Sequence, residues 1–258
     1  MVHNRTIDAD AAEVLDRGMA SVPGVTSLPA AVLRPALGNA FEATVEQLAT
    51  AIRLGVLRDG ELLPPERLLA EQLGVSRNTL REAIAALRDS GLVTTRRGRG
   101  GGSVVTYTGP RREGTAPVRV GPALLDALDF RMIVEPGAAA LAARRPLAAD
   151  QRAWLQACLD EVASAPDEAT HRMSDSRLHL AIATIAGSPM LIEAVTRAQA
   201  ALGEMLGAIP VLRRNIDHSN EQHSAIVRAI LTGDGERARA VMEEHCEATA
   251  ALLRGLIG

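Results

Sequence analysis

The chain has no lysine; all 28 of its basic side chains are arginine. Aromatic residues are nearly absent as well, with two Phe, one Tyr and one Trp in 258 residues. A core must therefore be built from Leu, Ala, Val and Ile, a composition that leans towards helix. Two cysteines, Cys158 and Cys246, are too few for a disulfide framework. No apolar run approaches the ~20 residues of a membrane span. The opening MVHNRTIDADAAEVLDRG lacks both the basic start and the apolar core of a secretory signal. These absences make a cytoplasmic chain with no membrane partner the expectation. What is present is a 47% apolar fraction, enough for one large or two ordinary domains.

The net charge of −3 hides an asymmetry. Between Arg67 and Arg112 stand nine arginines and three acids (Glu71, Glu82 and Asp89), a local charge of +6 that leaves −9 on the rest. A basic field inside an acidic chain is the footprint of a polyanion partner.

Residues 1–40 carry no hydrophobic period and read as an irregular arm. A helical period starts near Phe41, with Val45, Leu48, Ile52 and Val56 three or four apart. RDGELLPP breaks it. ERLLAEQLG then reads as a short helix entered through Pro65 and closed by Gly74. Ser76 caps the next helix, whose buried stripe is Leu80, Ile84 and Leu87 and whose end is Gly91. LVTTRR and SVVTYT flank GRGGG as a two-stranded hairpin. The whole of 41–108 has the layout of a winged helix-turn-helix. GPRREGTAPVRVGP supplies a linker over 109–121. Everything from 122 to 258 reads as helix, so the fold class is mostly α, a winged helix-turn-helix followed by an all-α bundle.

The head suits DNA. A helix N-terminus offers free N–H groups to phosphates, and its first-turn side chains reach base edges. Ser76, Arg77, Asn78 and Thr79 occupy that end, and Arg81 lies one turn on from Arg77. Arg77 can fork onto a guanine; Asn78 can reach an adenine edge or a phosphate. The glycines let the wing approach closely, and Arg96, Arg97 and Arg99 charge it.

A second constellation lies in the helical region. Asp175 and His179 are one turn apart on one face. His223 and His245 sit in two further helices. One carboxylate and three imidazoles can close around a divalent ion inside a bundle. Spacing alone does not choose among Zn, Ni, Cu, Fe and Mn. It also leaves His171, four residues before Asp175, and His218, five before His223, as competitors.

The stretch LLPPERLLAEQLGVSRNTLREAIAALRDSGLVTTRRGRGGGSVV resembles the DNA-binding domain of GntR-family transcription regulators. That resemblance implies a DNA-facing set of Arg67, Ser76, Arg77, Asn78, Thr79, Arg81, Arg97 and Gly98, which the wing charge extends to Arg99. FRMIVEPGAAALAA, DSRLHLAIATIAGSPML and EQHSAIVRAILTGDGERARAVMEEH resemble the all-helical effector domain of the FadR branch, the FCD domain. Its metal-binding members use one Asp and three His at places matching Asp175, His179, His223 and His245. The resemblance thus implies one divalent ion per chain, Zn foremost. It also implies an effector role for Arg131 in the Arg-x-x-x-Glu of the first helix, where the bland reading is an i,i+4 ion pair with Glu135. Cys246, about 100° round its helix from His245, is expected to be packing, and Trp154 core.

The expected function is a DNA-binding transcription regulator and not an enzyme. It would be a homodimeric repressor on an inverted-repeat operator, controlled by a small carboxylate bound near the metal. The alternative is a metal-dependent hydrolase with an appended DNA-binding head, needing a general base such as Glu135 or Glu221 outside the ligand set.

Overall fold

A computed structural model of the chain describes residues 32–33, 35, 40–98, 101–109, 122–207 and 213–257; for 122–124, 207, 213–214 and 255–257 it describes the backbone only. Most of the arm at 1–40, the linker beyond Gly109 and the wing residue Arg99 lie outside the described residues.

The head contains α1 (Ala40–Arg53), α2 (Glu66–Leu73), α3 (Arg77–Asp89), β1 (Val93–Arg96) and β2 (Gly102–Val105). Local chemistry sets the boundaries. Gly74 closes α2 in the left-handed conformation, φ 65°, which glycine adopts without steric cost. Ser76 opens α3 by accepting the backbone N–H of Thr79 at 3.0 Å. The strands pair antiparallel, Val93 opposite Val105 and Arg96 opposite Gly102. The sequence left RDGELLPP as a break, but the structure uses it. Leu63 N donates to Ser103 O at 2.8 Å and Val105 N to Glu61 O at 2.9 Å, so this segment backs the wing as a bridge at Leu62.

Leu48, Ile52, Leu69, Leu73, Leu80 and Leu87 are all but fully buried. Leu33, from the arm, joins them at 1% exposure. The same apolar cluster continues into Ala138, Leu180 and Val195 of the helical region. Head and bundle thus share packing.

The bundle is α4 (Pro122–Ala143), α5 (Ala149–Ala163), α6 (Glu168–Ala186), α7 (Pro189–Gly207), α8 (Arg213–Thr232) and α9 (Gly235–Ile257). Helix α8 begins eight residues earlier than the apolar pattern of EQHSAIVRAI announces, because its first two turns, RRNIDHSN, are polar. Helix α4 packs on α6, α7, α8 and α9, and runs unbroken through Pro136. Helix α6 is capped by Asp167, which accepts Thr170 N at 2.8 Å, and is closed by Gly187. From Ser176 to Ile182 every α6 side chain is buried, as expected of a helix with partners all round it. One of those partners is the head. A Cβ placed on Gly55 would lie 3.0 Å from Met173 Cβ and 3.3 Å from Arg177 Cδ. Glu161 of α5 bridges the two regions, pairing with Arg58 of the head at 2.9 Å and with the buried Arg177 of α6.

Candidate nucleic-acid interface and candidate metal centre

In the head, Arg67, Ser76, Arg77, Asn78, Arg81, Arg97 and Gly98 are exposed and Thr79 is half-buried. Gly98, φ 104°, shapes the wing tip. Several of these side chains rest on neighbouring carboxylates: Arg81 on Glu66 at 2.7 Å, Arg67 on Glu71 at 2.9 Å and Asn78 on Glu82 at 2.8 Å. Exposed pairs of this kind are worth about 0–1 kcal/mol, so a phosphate can displace the carboxylate at small cost.

In the bundle, Asp175 and His179 of α6, His223 of α8 and His245 of α9 come together. One ligand atom from each lies within 4.8 Å of all the others. His179, His223 and His245 are 2%, 0% and 3% exposed. His223 Nε2 is 3.2 Å from Asp175 Oδ1, and the ring centroids of His223 and His245 are 4.6 Å apart. Burial drives the His223 imidazole down to about 4, against the upward pull of Asp175, and burial likewise holds His245 well below its ordinary value. Both rings are therefore neutral near pH 7, as ligation requires. Asp175 is pushed up by burial but brought below its ordinary value by His223, His179, His171 and Arg131.

The nitrogens of these rings are the main buried polar atoms without a hydrogen-bond partner. Both nitrogens of His179 and of His223, and Nε2 of His245, lack one. Unpaired buried polar atoms are costly, and three imidazoles plus a carboxylate are the donor set of a divalent transition-metal site. The residues present fit such an ion.

His171 and His218 are not part of the group. Both line a cavity of about 120 Å³ beside it, which Asp175, His245 and Arg131 also border. Spacing leaves these two histidines as competitors for the ion; the structure places them on the cavity wall instead. Gln222, Arg172 and Asn215 line the same cavity and carried no signal beyond Gln222 preceding His223.

Arg131 reconciles the two readings of its motif. Its Nε donates to Glu135 Oε2 at 3.1 Å, and both residues are 1% exposed. Its Nη1 and Nη2 are buried without hydrogen-bond partners. The ion pair uses one edge of the guanidinium and leaves the other nitrogens unsatisfied. Burial raises the Glu135 carboxyl, but Arg131 and then His179 outweigh it and hold the group well below the carboxylate range. Glu135 Oε2 also stands 2.8 Å from His179 Nδ1, off the direction of a well-formed hydrogen bond. Cys246 is buried and faces Glu135 at 3.7 Å, outside the four-residue group. Trp154 is half-buried, packed against two core clusters. Glu221 is exposed and does not line the cavity.

A winged head bearing exposed arginines, joined to a helical bundle with an internal polar site, defines a DNA-binding regulator with a sensory domain. Comparison with known families matches residues 41–102 to "Bacterial regulatory proteins, gntR family" and 126–248 to "FCD domain". The chain is 35% identical over 211 residues to "Putative HTH-type transcriptional regulator RmpR" of Mycobacterium gastri, covering 79% of this chain and 76% of that protein. It is 34% identical over 212 residues to "Putative L-lactate dehydrogenase operon regulatory protein" of Escherichia coli (strain K12), covering 73% and 76%. The solved structure of E. coli McbR/YncC shares the fold at 21% identity, with a TM-score of 0.52 over 85% of this chain and 99% of that one. The chain belongs to the GntR family of transcription regulators and carries an FCD domain. Its relatives are named as regulators, and the hydrolase alternative finds no support among them. Among the described residues no helix is long and apolar enough to cross a membrane.

Proposed function

We propose that the chain is a homodimeric repressor whose grip on an inverted-repeat operator is set by a small carboxylate bound in the cavity beside a divalent ion, Zn foremost. Asp175, His179, His223 and His245 would hold the ion, which when bound supplies a positive charge and coordination positions for effector oxygens. The observation that carries the reading is Arg131: a fully buried guanidinium with two unpaired nitrogens, on a cavity that also borders Asp175 and His245. A carboxylate satisfies both nitrogens with a two-pronged hydrogen bond. One relative is named for an L-lactate dehydrogenase operon, which supports the same chemical class. In the head, Arg77 would read a base edge while Arg67, Arg81, Arg97 and Arg99 meet phosphates. One head makes too few contacts for tight, specific binding, and a two-fold dimer doubles them. The effector acts only through a difference in its affinity for the DNA-competent and incompetent arrangements.

The test is a thermal-shift screen of small carboxylates, L-lactate included, on Zn-loaded protein, followed by operator binding with each hit. A carboxylate that stabilises the wild type, fails to stabilise Arg131→Met and weakens operator binding supports the reading. Hits that stabilise both proteins equally refute the role of Arg131. Operator binding that tightens with the effector makes the protein an activator of its own occupancy rather than a repressor released by ligand.

A further inference from the structure

Glu135 is outside the four residues that can hold an ion, yet it touches one of them. Both of its oxygens are engaged. Oε1 accepts from Gln199 Nε2 at 2.6 Å. Oε2 faces Arg131 Nε at 3.1 Å, His179 Nδ1 at 2.8 Å and Cys246 Sγ at 3.7 Å. The other nitrogen of the same ring, His179 Nε2, lies on the side of Asp175, 4.0 Å from Oδ2. A neutral imidazole carries one N–H, and the partner of that N–H decides which nitrogen keeps its lone pair. An ionised carboxylate can only accept. Glu135 therefore draws the proton of His179 to Nδ1 and leaves Nε2 bare towards Asp175. At 2.8 Å, Oε2 is within hydrogen-bond reach of Nδ1, although the ring stands off the direction of a well-formed bond. Gln222 Oε1 stands 3.3 Å from His245 Nδ1 and favours the same tautomer there, from a neutral and more distant acceptor.

We propose that Glu135 is a positioning residue for the metal centre. It selects the Nε2-ligating tautomer of His179, and through the same oxygen it holds Arg131, which lines the cavity. This rests on the reading that Asp175, His179, His223 and His245 bind a divalent cation. The need of buried Arg131 for a counter-charge accounts for the contact at 3.1 Å, but it does not account for the closer approach of His179 Nδ1.

Two variants separate a positioning role from a purely structural one. Glu135→Gln keeps the volume and an acceptor oxygen but removes the charge. The double variant Arg131→Met/Glu135→Leu removes the buried pair together, so that neither charge is stranded. Zn²⁺ affinity is measured by competition with a chromophoric chelator. The tautomer of His179 is read from side-chain ¹⁵N shifts of the metal-free protein, and circular dichroism establishes that each variant is folded. Zn²⁺ affinity should fall about tenfold in Glu135→Gln and up to about a hundredfold in the double variant. In the folded double variant the Nδ1–H signature of His179 should weaken. Wild-type affinity in both variants, with the Nδ1–H tautomer intact, overturns the proposal. If the double variant does not fold, undiminished affinity in Glu135→Gln overturns it alone. If the wild type binds no Zn²⁺, the metal reading has failed and the positioning of a metal centre falls with it; an unchanged tautomer in the metal-free double variant then refutes the tautomer selection as well, while a shifted one leaves Glu135 only as the residue that orients His179.

Discussion

The head and the bundle solve opposite problems with the same kind of residue. In the head, Arg67 and Arg81 lie in water and rest on Glu71 and Glu66, pairs that are cheap to break. In the bundle, Arg131 is sealed off with Glu135 and keeps two nitrogens unsatisfied. An exposed arginine can meet any phosphate that arrives; a buried one can be satisfied only by a ligand that fits its cavity. The contrast teaches where selectivity resides. On the proposed reading, head electrostatics would give affinity for DNA in general, with sequence choice left to a few first-turn side chains. On the same reading, the bundle would select its ligand through burial.

The sharpest way to break this comparison is His223→Ala. It should abolish Zn²⁺ binding, as read by elemental analysis of the metal-loaded protein, and with it any effector response. Operator binding by the head should persist. His171→Ala and His218→Ala should keep the ion, but their place on the cavity wall makes a change in effector affinity the expected result. Full occupancy in His223→Ala, or loss in either of the other two, would show that the wrong ligands were chosen.

A second test concerns the cost of keeping His223 neutral. Its folded value, about 4, lies below the ordinary ~6.5 of a histidine. Its contribution to stability is therefore complete above pH 6.5 and is lost as the pH falls towards 4, because the unfolded chain takes up the proton first. For the metal-free protein, urea denaturation should reveal a loss on the order of a few kcal/mol between pH 7 and pH 4 from this ring. His223→Gln should flatten the profile; the same slope in that variant assigns it to other groups.

In the head the effects should be smaller. Arg77→Ala should cost about 1–3 kcal/mol and relax base choice at one operator position. Arg97→Ala should weaken all sequences alike and lower the salt slope by about one. Binding selections with both variants at two salt concentrations check this. Identical salt slopes and unchanged base choice would refute the division of labour.

The head was legible because its information is local. Pro65, Gly74 and Ser76 announce the ends of α2 and α3, and a stripe from Leu80 to Leu87 announces which face packs. The segment at Leu62 was missed because its bridge to Val104 is a tertiary pairing with no periodic signal of its own. Leu33 was missed for a similar reason, as a lone leucine in an arm without a period. In the bundle, residue type suggested a metal but spacing could not choose among the histidines, and the resemblance to the FCD domain did so. Glu135 read as half of an ordinary i,i+4 pair. Its link to His179 depends on how α4 crosses α6, which no stretch of sequence spells out. The start of α8 was hidden because its first turns are polar.

Gly55 has a mechanical meaning. A side chain there would crowd Met173 and Arg177, on the same helix that carries Asp175 and His179. The head thus rests closely on α6 at this point. On the proposed reading, a shift of α6 on filling the inner site would be felt by the head at Gly55. Distance between the two sites is bridged by a helix that carries two candidate ligands and touches the head.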